Sequence, residues 1–244
     1  MTPAWPYPKW IAHRGAGKLA PENTLAAFRL GAAHGYRMFE CDVQLSADKV
    51  PFLLHDAALE RTTNGVGRAA DQPWDQLALL DAGSWHSRRY AGEPLPSFEN
   101  VARFCLANGH LLNIELKPSP GAEVETGTVV ARYAERIWQG QAVPPLLTSF
   151  SVEALQAAMG AVPALPRGLL LDGWWDGWLE AARGMGCVAV VCEHTLWDPA
   201  AVVQVQGAGM RCLGYTVNDE VAARRLMGLG IDGVITDRVD LFVP

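Results

Sequence analysis

The chain has 244 residues, of which 50% are hydrophobic and 19% charged, and a net charge of −6. That length suits one large α/β domain, and a mild negative charge without any Lys/Arg cluster excludes a nucleic-acid groove and a basic membrane-binding surface. Five cysteines, an odd number with no CxxC pair, read as reduced core thiols of a cytoplasmic protein, and no apolar run approaches the roughly 20 residues of a stable membrane insertion.

The opening MTPAWPYPKW has three prolines and no apolar core, so it is not read as a secretory signal. Trp10-Ile11-Ala12 then reads as a short buried strand that delivers His13 and Arg14 into a loop loosened by Gly15 and Gly17. Pro21-Glu22-Asn23-Thr24 opens a helix capped by Asn23 or Thr24, with Leu25, Phe28 and Ala32 as its apolar face and Gly35 as its stop.

In Met38–Leu45 the carboxylates Glu40 and Asp42 are two apart in an apolar strand, so alternation puts both on one face. Neighbouring carboxylates repel. Either one takes a proton or a hard cation lies between them, and a solvated acidic edge is the bland alternative. A turn at Ser46-Ala47-Asp48-Lys49 leads back through Val50–Leu54 to His55-Asp56. A hairpin centred between Asp48 and Lys49 predicts His55 opposite Asp42.

Residues 57–96 lack sustained periodicity and are rich in Gly, Pro and Asp, which predicts a small insertion over the mouth of the domain. Ser97 caps the next helix, and Leu111–Lys117 is a strand with Glu115 and Lys117 sharing a face at its carboxyl end. From there helices and strands alternate regularly to Gly233–Asp237. Leaving out the return arm of the hairpin, eight strands begin at residues 10, 38, 111, 146, 167, 188, 212 and 233. That is the pattern of a (β/α)8 TIM barrel with its site at the carboxyl ends of the strands.

One barrel mouth would then collect His13, Arg14, Glu40, Asp42, His55, Glu115 and Lys117. Three carboxylates can hold a hard cation, two imidazoles can exchange protons, and Arg14 with Lys117 can hold an anion, a combination suited to phosphodiester cleavage.

In order and spacing these residues resemble the glycerophosphodiester phosphodiesterase family of the bacterial cytoplasmic type. The resemblance runs through His13-Arg14-Gly15, Pro21-Glu22-Asn23-Thr24, Glu40-x-Asp42, His55-Asp56, Leu59–Gly65, Glu115-Leu116-Lys117, Ser149-Phe150, Thr216-Val217-Asn218 and Gly233–Asp237. It implies a single barrel over 1–244 with a small insertion at 57–96, and hydrolysis of small glycerophosphodiesters to sn-glycerol 3-phosphate and an alcohol. It further implies one divalent cation, Mg²⁺ or Ca²⁺, on Glu40, Asp42 and Glu115, with His13 and His55 as acid and base. Arg14 and Lys117 would face the phosphate, and Phe150 and Tyr215 would form a substrate wall. Tyr215 stands where the family usually has Trp, and Cys41 points by alternation into the core, away from the carboxylates.

Rival readings each carry a mark. Trp174, Trp175 and Trp178 in the loop after Arg167–Leu171 would favour a lysophospholipase D-type activity on longer-chain lysolipids if they lined a lip, and packing if they did not. A non-catalytic phosphate-ligand binder would be expected to lack a histidine or a carboxylate of the set. A metal-dependent sugar-acid aldolase would need a Schiff-base lysine, for which Lys117 is the only lysine at a barrel strand end, or a different order of metal ligands.

Overall fold

The computed structural model describes residues 5–244, so the first four residues of the proline-rich opening lie outside it. Among the described residues nine strands alternate with eight helices: β1 Trp10–Ala12, α1 Leu25–Ala33, β2 Met38–Leu45, β3 Pro51–Leu53, α2 Trp74–Leu77, α3 Phe98–Ala107, β4 Leu111–Leu116, α4 Glu123–Ile137, β5 Leu146–Ser149, α5 Val152–Ala161, β6 Arg167–Leu171, α6 Trp178–Gly184, β7 Ala189–Glu193, α7 Pro199–Gly207, β8 Arg211–Tyr215, α8 Glu220–Leu229 and β9 Gly233–Thr236.

Eight of the strands run parallel in the order β1, β9, β8, β7, β6, β5, β4, β2, and a further pairing of β1 with β2 closes the ring. β3 is antiparallel to β2 and stays outside it. The result is a (β/α)8 TIM barrel, and leaving the return arm out of the strand count is correct. Parallel strands covered by helices are buried on both faces, which is why all eight residues of β2 are buried.

Alternation along each strand sorts the side chains into two cores. Phe39, Cys41 and Val43 of β2 point outward under the helices, whereas Met38 joins Ile11, Leu146, Leu170, Val191, Leu213 and Ile235 in a plug inside the barrel. Above that apolar floor the same inward positions are polar. Inward alternation thus carries Met38 to Glu40 and Asp42, with Asn113 and Glu115 of β4 in register beside them. All five cysteines are free and buried.

The hairpin register differs from the expectation by one residue. Val43 faces Leu53 and Leu45 faces Pro51, so Asp42 is opposite Leu54, whose N–H donates to Asp42 O at 3.2 Å. Ser46 pairs with Val50 across a three-residue loop in which Lys49 is left-handed, φ 66°, and Val50 N–H also donates to Ser46 Oγ at 2.9 Å. A loop with an odd residue number shifts the whole arm.

The segment 57–96 shares a small core with the return arm of the hairpin, in which Leu59, Leu77, Ala82 and Leu95 are buried together with Phe52 and Leu54. Its contacts with the start of the barrel include Ala26 N–H donating to Glu93 Oε1 at 2.9 Å, His86 Nε2 3.0 Å from Lys18 O, and Arg61 donating to Glu22 at 2.8 Å.

Candidate active site

The loop after β1 is folded back on itself by two residues that L side chains rarely allow, Arg14 at φ 50° and Asn23 at φ 59°. Asn23 N–H donates to Arg14 O at 2.9 Å, and Arg14 N–H donates to Glu40 Oε2 at 3.0 Å. Helix α1 is capped by Thr24, whose hydroxyl accepts from Ala27 N–H at 3.3 Å. The Asn23 side chain is thereby released from capping and turns to Asp42, donating to Oδ2 at 2.8 Å and accepting from Asp42 N–H at 3.2 Å. Left-handed non-glycine residues gathered at a polar site indicate a geometry imposed by its contacts.

Glu40, Asp42 and Glu115 place one carboxylate oxygen each within 4.8 Å of one another. Two buried oxygens of this group, Glu40 Oε1 and Asp42 Oδ1, have no hydrogen-bond partner. Orphaned buried oxygens within such a cluster of carboxylates suit a hard cation, so the residues present fit a metal ion. Lys117 supplies part of the compensating charge from the side, with Nζ 3.0 Å from Glu115 Oε1 and 3.7 Å from Asp42 Oδ1. Arg14 Nε lies 3.2 Å from Asp42 Oδ2.

The three carboxyls are electrostatically unequal. Burial, then the charges of Asp42 and Glu115, push Glu40 well above the usual carboxylate range. Burial, then Asp42, pushes Glu115 up to about 7. Burial acts on Asp42 in the same direction but is outweighed by Arg14, Lys117 and His55, so Asp42 is held below its ordinary value.

Each of the two predicted histidines is braced by a carboxylate. His13 Nδ1 lies 2.6 Å from Asp237 Oδ1 and His55 Nδ1 lies 2.6 Å from Asp56 Oδ1, while His13 Nε2 is 3.8 Å from Glu40 Oε2. Asp237 is in turn held by Asn218, which donates from its amide to Oδ2 at 2.8 Å and accepts from Asp237 N–H at 2.9 Å. Burial raises Asp237, but the hydrogen bond and charge of His13, the Asn218 amide and the charge of Lys18 together outweigh it and hold the carboxyl below its ordinary value. An ionised carboxylate only accepts, so each Nδ1 carries a proton and each Nε2 is the free ring nitrogen.

A cavity of about 130 Å³ is lined by the polar side chains of His13, Arg14, Glu40, His55, Glu115 and Lys117 together with the apolar Phe150, Leu170, Tyr215 and Ile235. The structure therefore gathers eight of the nine sequence-predicted residues on the cavity wall, with Asp42 buried just behind it. His55 reaches the cavity despite the changed register, because it lies beyond the paired part of the hairpin. Phe150 and Tyr215 meet edge-on at 6.0 Å, and Tyr215 is anchored by donating to Leu171 O at 3.0 Å. Trp174, 39% exposed, packs on Trp178 and Trp197 outside the cavity. His194 is not on the cavity wall and lies 3.6 Å from Glu193.

Sequence reasoning singled out neither Asp56, Asp237 and Asn218 nor Glu22 as working side chains, although it quoted the segments that contain them. The available signal was barrel closure: the end of β9 has to abut the end of β1, so a carboxylate following β9 meets whatever follows Ala12.

The model of the glycerophosphoryl diester phosphodiesterase family matches residues 13–241. A glycerophosphodiester phosphodiesterase from Caldanaerobacter subterraneus is 32% identical over 234 residues, 93% of either chain. Among solved structures, a phosphodiesterase from Oleispira antarctica in complex with the product sn-glycerol-3-phosphate superposes with a TM-score of 0.88 at 35% identity, covering 94% of this chain and 93% of that one. A glycerophosphodiester phosphodiesterase from Agrobacterium tumefaciens superposes with a TM-score of 0.81 at 26% identity, covering 97% of this chain and 99% of the other.

Proposed function

The chain belongs to the glycerophosphoryl diester phosphodiesterase family and has that family's activity; from that premise we propose the chemistry of its site. A small glycerophosphodiester is hydrolysed to sn-glycerol 3-phosphate and an alcohol at one Mg²⁺ or Ca²⁺ held by Glu40, Asp42 and Glu115. The observation that carries this reading is the pair of buried, unpartnered oxygens Glu40 Oε1 and Asp42 Oδ1 beside Glu115, between two carboxylate-braced histidines.

The cation, when bound, supplies Lewis-acid stabilisation of charge on the phosphoryl oxygens. Lys117, kept charged by Glu115 and Asp42 against the opposing effect of burial, and Arg14 face the same phosphate. With Nδ1 of both histidines committed to carboxylates, the two Nε2 atoms do the proton transfer. One removes the proton of the attacking oxygen and the other gives a proton to the departing alcohol. The attacking oxygen belongs to water or to the substrate's own glycerol, and a cyclic glycerophosphate is released during turnover only in the second case. Phe150 and Tyr215 form the apolar wall against which the substrate lies.

We place residues 57–96 as a small insertion over the mouth of a single barrel domain, on the strength of the Ala26 and Lys18 contacts. Five free, buried cysteines suit a reducing cytoplasm. Among the described residues no helix is long and apolar enough to cross a membrane.

The test is release of sn-glycerol 3-phosphate from glycerophosphocholine and glycerophosphoethanolamine with Mg²⁺, with Ca²⁺ and with EDTA, beside His13→Ala and Glu40→Ala. Turnover is expected only with a divalent cation and in neither variant. Turnover that survives EDTA removes the cation from the reading, and none from a folded protein with any metal moves it to a phosphate-ligand binder. The exposed aromatic ring of Phe150 on the cavity wall favours a second reading, a lysophospholipase D-type activity on lysolipids, to which Trp174 and Trp175, off that wall, add nothing. Activity confined to deacylated diesters disposes of it.

A further inference from the structure

Arg61 lies in the 57–96 segment and is 44% exposed on its side chain, yet its hydrogen bonds run inward to two carboxylates. Nε and Nη2 donate to the two oxygens of Asp56, the latter at 3.0 Å, while Nη1 and Nη2 each donate to an oxygen of Glu22 at 2.8 Å. Asp56 Oδ1 is the atom that meets His55 Nδ1, and Glu22 Oε1 also accepts from Arg14 Nη1 at 2.8 Å. One guanidinium thus closes a chain from His55 through Asp56 and Glu22 to Arg14.

We propose that Arg61 is a positioning residue for His55: by gripping both oxygens of Asp56 it fixes the imidazole ring and its Nδ1–H tautomer, leaving Nε2 as the nitrogen available to the substrate. The inference rests on the assignment of His55 to proton transfer made above.

Three observations support it. First, Asp56 sits at the chain position next to His55 and could not hold the ring alone, since a partly exposed carboxylate is free to turn; the bidentate grip removes that freedom. Second, Asp56 is held far below the usual carboxylate range, chiefly by Arg61, so it has no proton to give and the shared proton belongs to the imidazole. Third, four hydrogen bonds to carboxylates leave the five N–H groups of Arg61 little capacity for phosphate, which separates it from Arg14 and Lys117. A role in holding the segment together is not required of it, because that segment is held by the buried cluster around Leu59 and Leu77.

The test compares Arg61→Met and Arg61→Lys with the wild type, with and without His55→Ala. On glycerophosphocholine, Arg61→Met is expected to lower kcat roughly 10- to 100-fold, as loss of an orienting partner does, with KM little changed. Arg61→Lys restores only part, because a point charge does not span two carboxylates in a fork. In the His55→Ala background Arg61→Met is expected to cost nothing further. A readout independent of turnover is the ¹⁵N spectrum of His55 near pH 8, expected to show one Nδ1–H tautomer in the wild type and a mixture in Arg61→Met. If that spectrum behaves as expected and no turnover is seen in the wild type, it is the functional reading that has failed. An unchanged tautomer, a raised KM at constant kcat, a loss that persists without His55, or a loss that merely follows a fallen Tm overturns the inference.

Discussion

Asp237 Oδ1 stands 2.6 Å from His13 Nδ1 across 224 residues of sequence, so the last strand of the barrel orients the side chain delivered by the first. Only a closed ring brings those two ends together. Asn218 at the end of the neighbouring strand completes the support from both sides of the carboxylate.

Asp237→Asn tests this dyad. An amide can offer an N–H where the carboxylate accepted one, which favours the His13 tautomer with its proton on Nε2, the wrong nitrogen for the cavity. By analogy with other histidine–carboxylate dyads, kcat is expected to fall about 10²- to 10⁴-fold, with KM and Tm close to wild type because the amide fills the same volume. Steady-state kinetics beside a thermal melt decide it. An unchanged kcat would make Asp237 a structural partner only.

The two raised carboxyls of the cluster, Glu40 and Glu115, predict opposite pH behaviour with and without metal. Glu115, raised from 4.5 to about 7, and Glu40, also raised well above the usual carboxylate range, bind protons in the folded state that the unfolded chain has already lost. The contribution of Glu115 to the metal-free protein is complete below about pH 4.5 and disappears as pH rises through about 7, and that of Glu40 is lost in the same direction. A cation replaces those protons, so its stabilising effect grows over the same interval. At one hundred times its Kd the cation adds about 2.7 kcal/mol, roughly 5–10 °C in Tm for a chain of this size. Melting with EDTA or with excess Mg²⁺ or Ca²⁺ should therefore give curves that diverge from pH 5.5 to pH 8. Equal shifts at both ends, or none in Glu40→Gln and wild type alike, would remove the cation from these carboxylates.

The barrel and the carboxylate cluster were legible because they follow from short-range periodicity. Two-residue spacing sets Glu40 and Asp42 on one face, and alternating helices and strands imply the ring that brings Glu115 beside them. What was hidden depends on contacts distant in sequence or on a single backbone angle. Asp237 matters only after closure, and Arg61 only once its segment packs against Glu22 in the loop after β1. The choice between Asn23 and Thr24 as cap was settled by Asp42, which claims the Asn23 amide for itself. The hairpin slipped by one residue because Lys49 adopts a left-handed angle that nothing in a lysine announces.

That angle makes Lys49 a stability test. A left-handed L-residue costs roughly 1–2 kcal/mol relative to its preferred conformation, and glycine escapes most of this while losing more chain entropy on folding. The Lys49 to Glu125 ion pair at 2.8 Å is half-exposed on both sides and offsets little. Lys49→Gly is expected to gain about 0.5–1 kcal/mol, or roughly 1–4 °C in Tm, whereas Lys49→Val should lose stability. A drop for the glycine variant would show that the register is held by the lysine side chain and not by the turn.

Gly17 joins backbone geometry to the site itself. It lies at φ 56°, and a Cβ there would stand 2.2 Å from Asp237 Cα and from Asp237 O, backbone atoms that cannot swing aside. Its N–H also donates to His13 O at 2.8 Å, so displacing Gly17 pulls on both members of the His13–Asp237 dyad. Gly17→Ala should therefore lose activity as well as stability. Gly109 provides the control: at φ 67° its Cβ would meet nothing within 4 Å, and it follows α3 on the side of the barrel away from the mouth. Gly109→Ala incurs only the left-handed strain of about 1–2 kcal/mol, roughly 2–8 °C in Tm, and should keep its kcat. For Gly17→Ala kcat is expected to fall at least about 10-fold, as a displaced orienting contact does, at temperatures where both variants are fully folded. Equal kcat in the two variants would mean that the loop after β1 adjusts without disturbing His13, and that the close approach of Gly17 to Asp237 is packing alone.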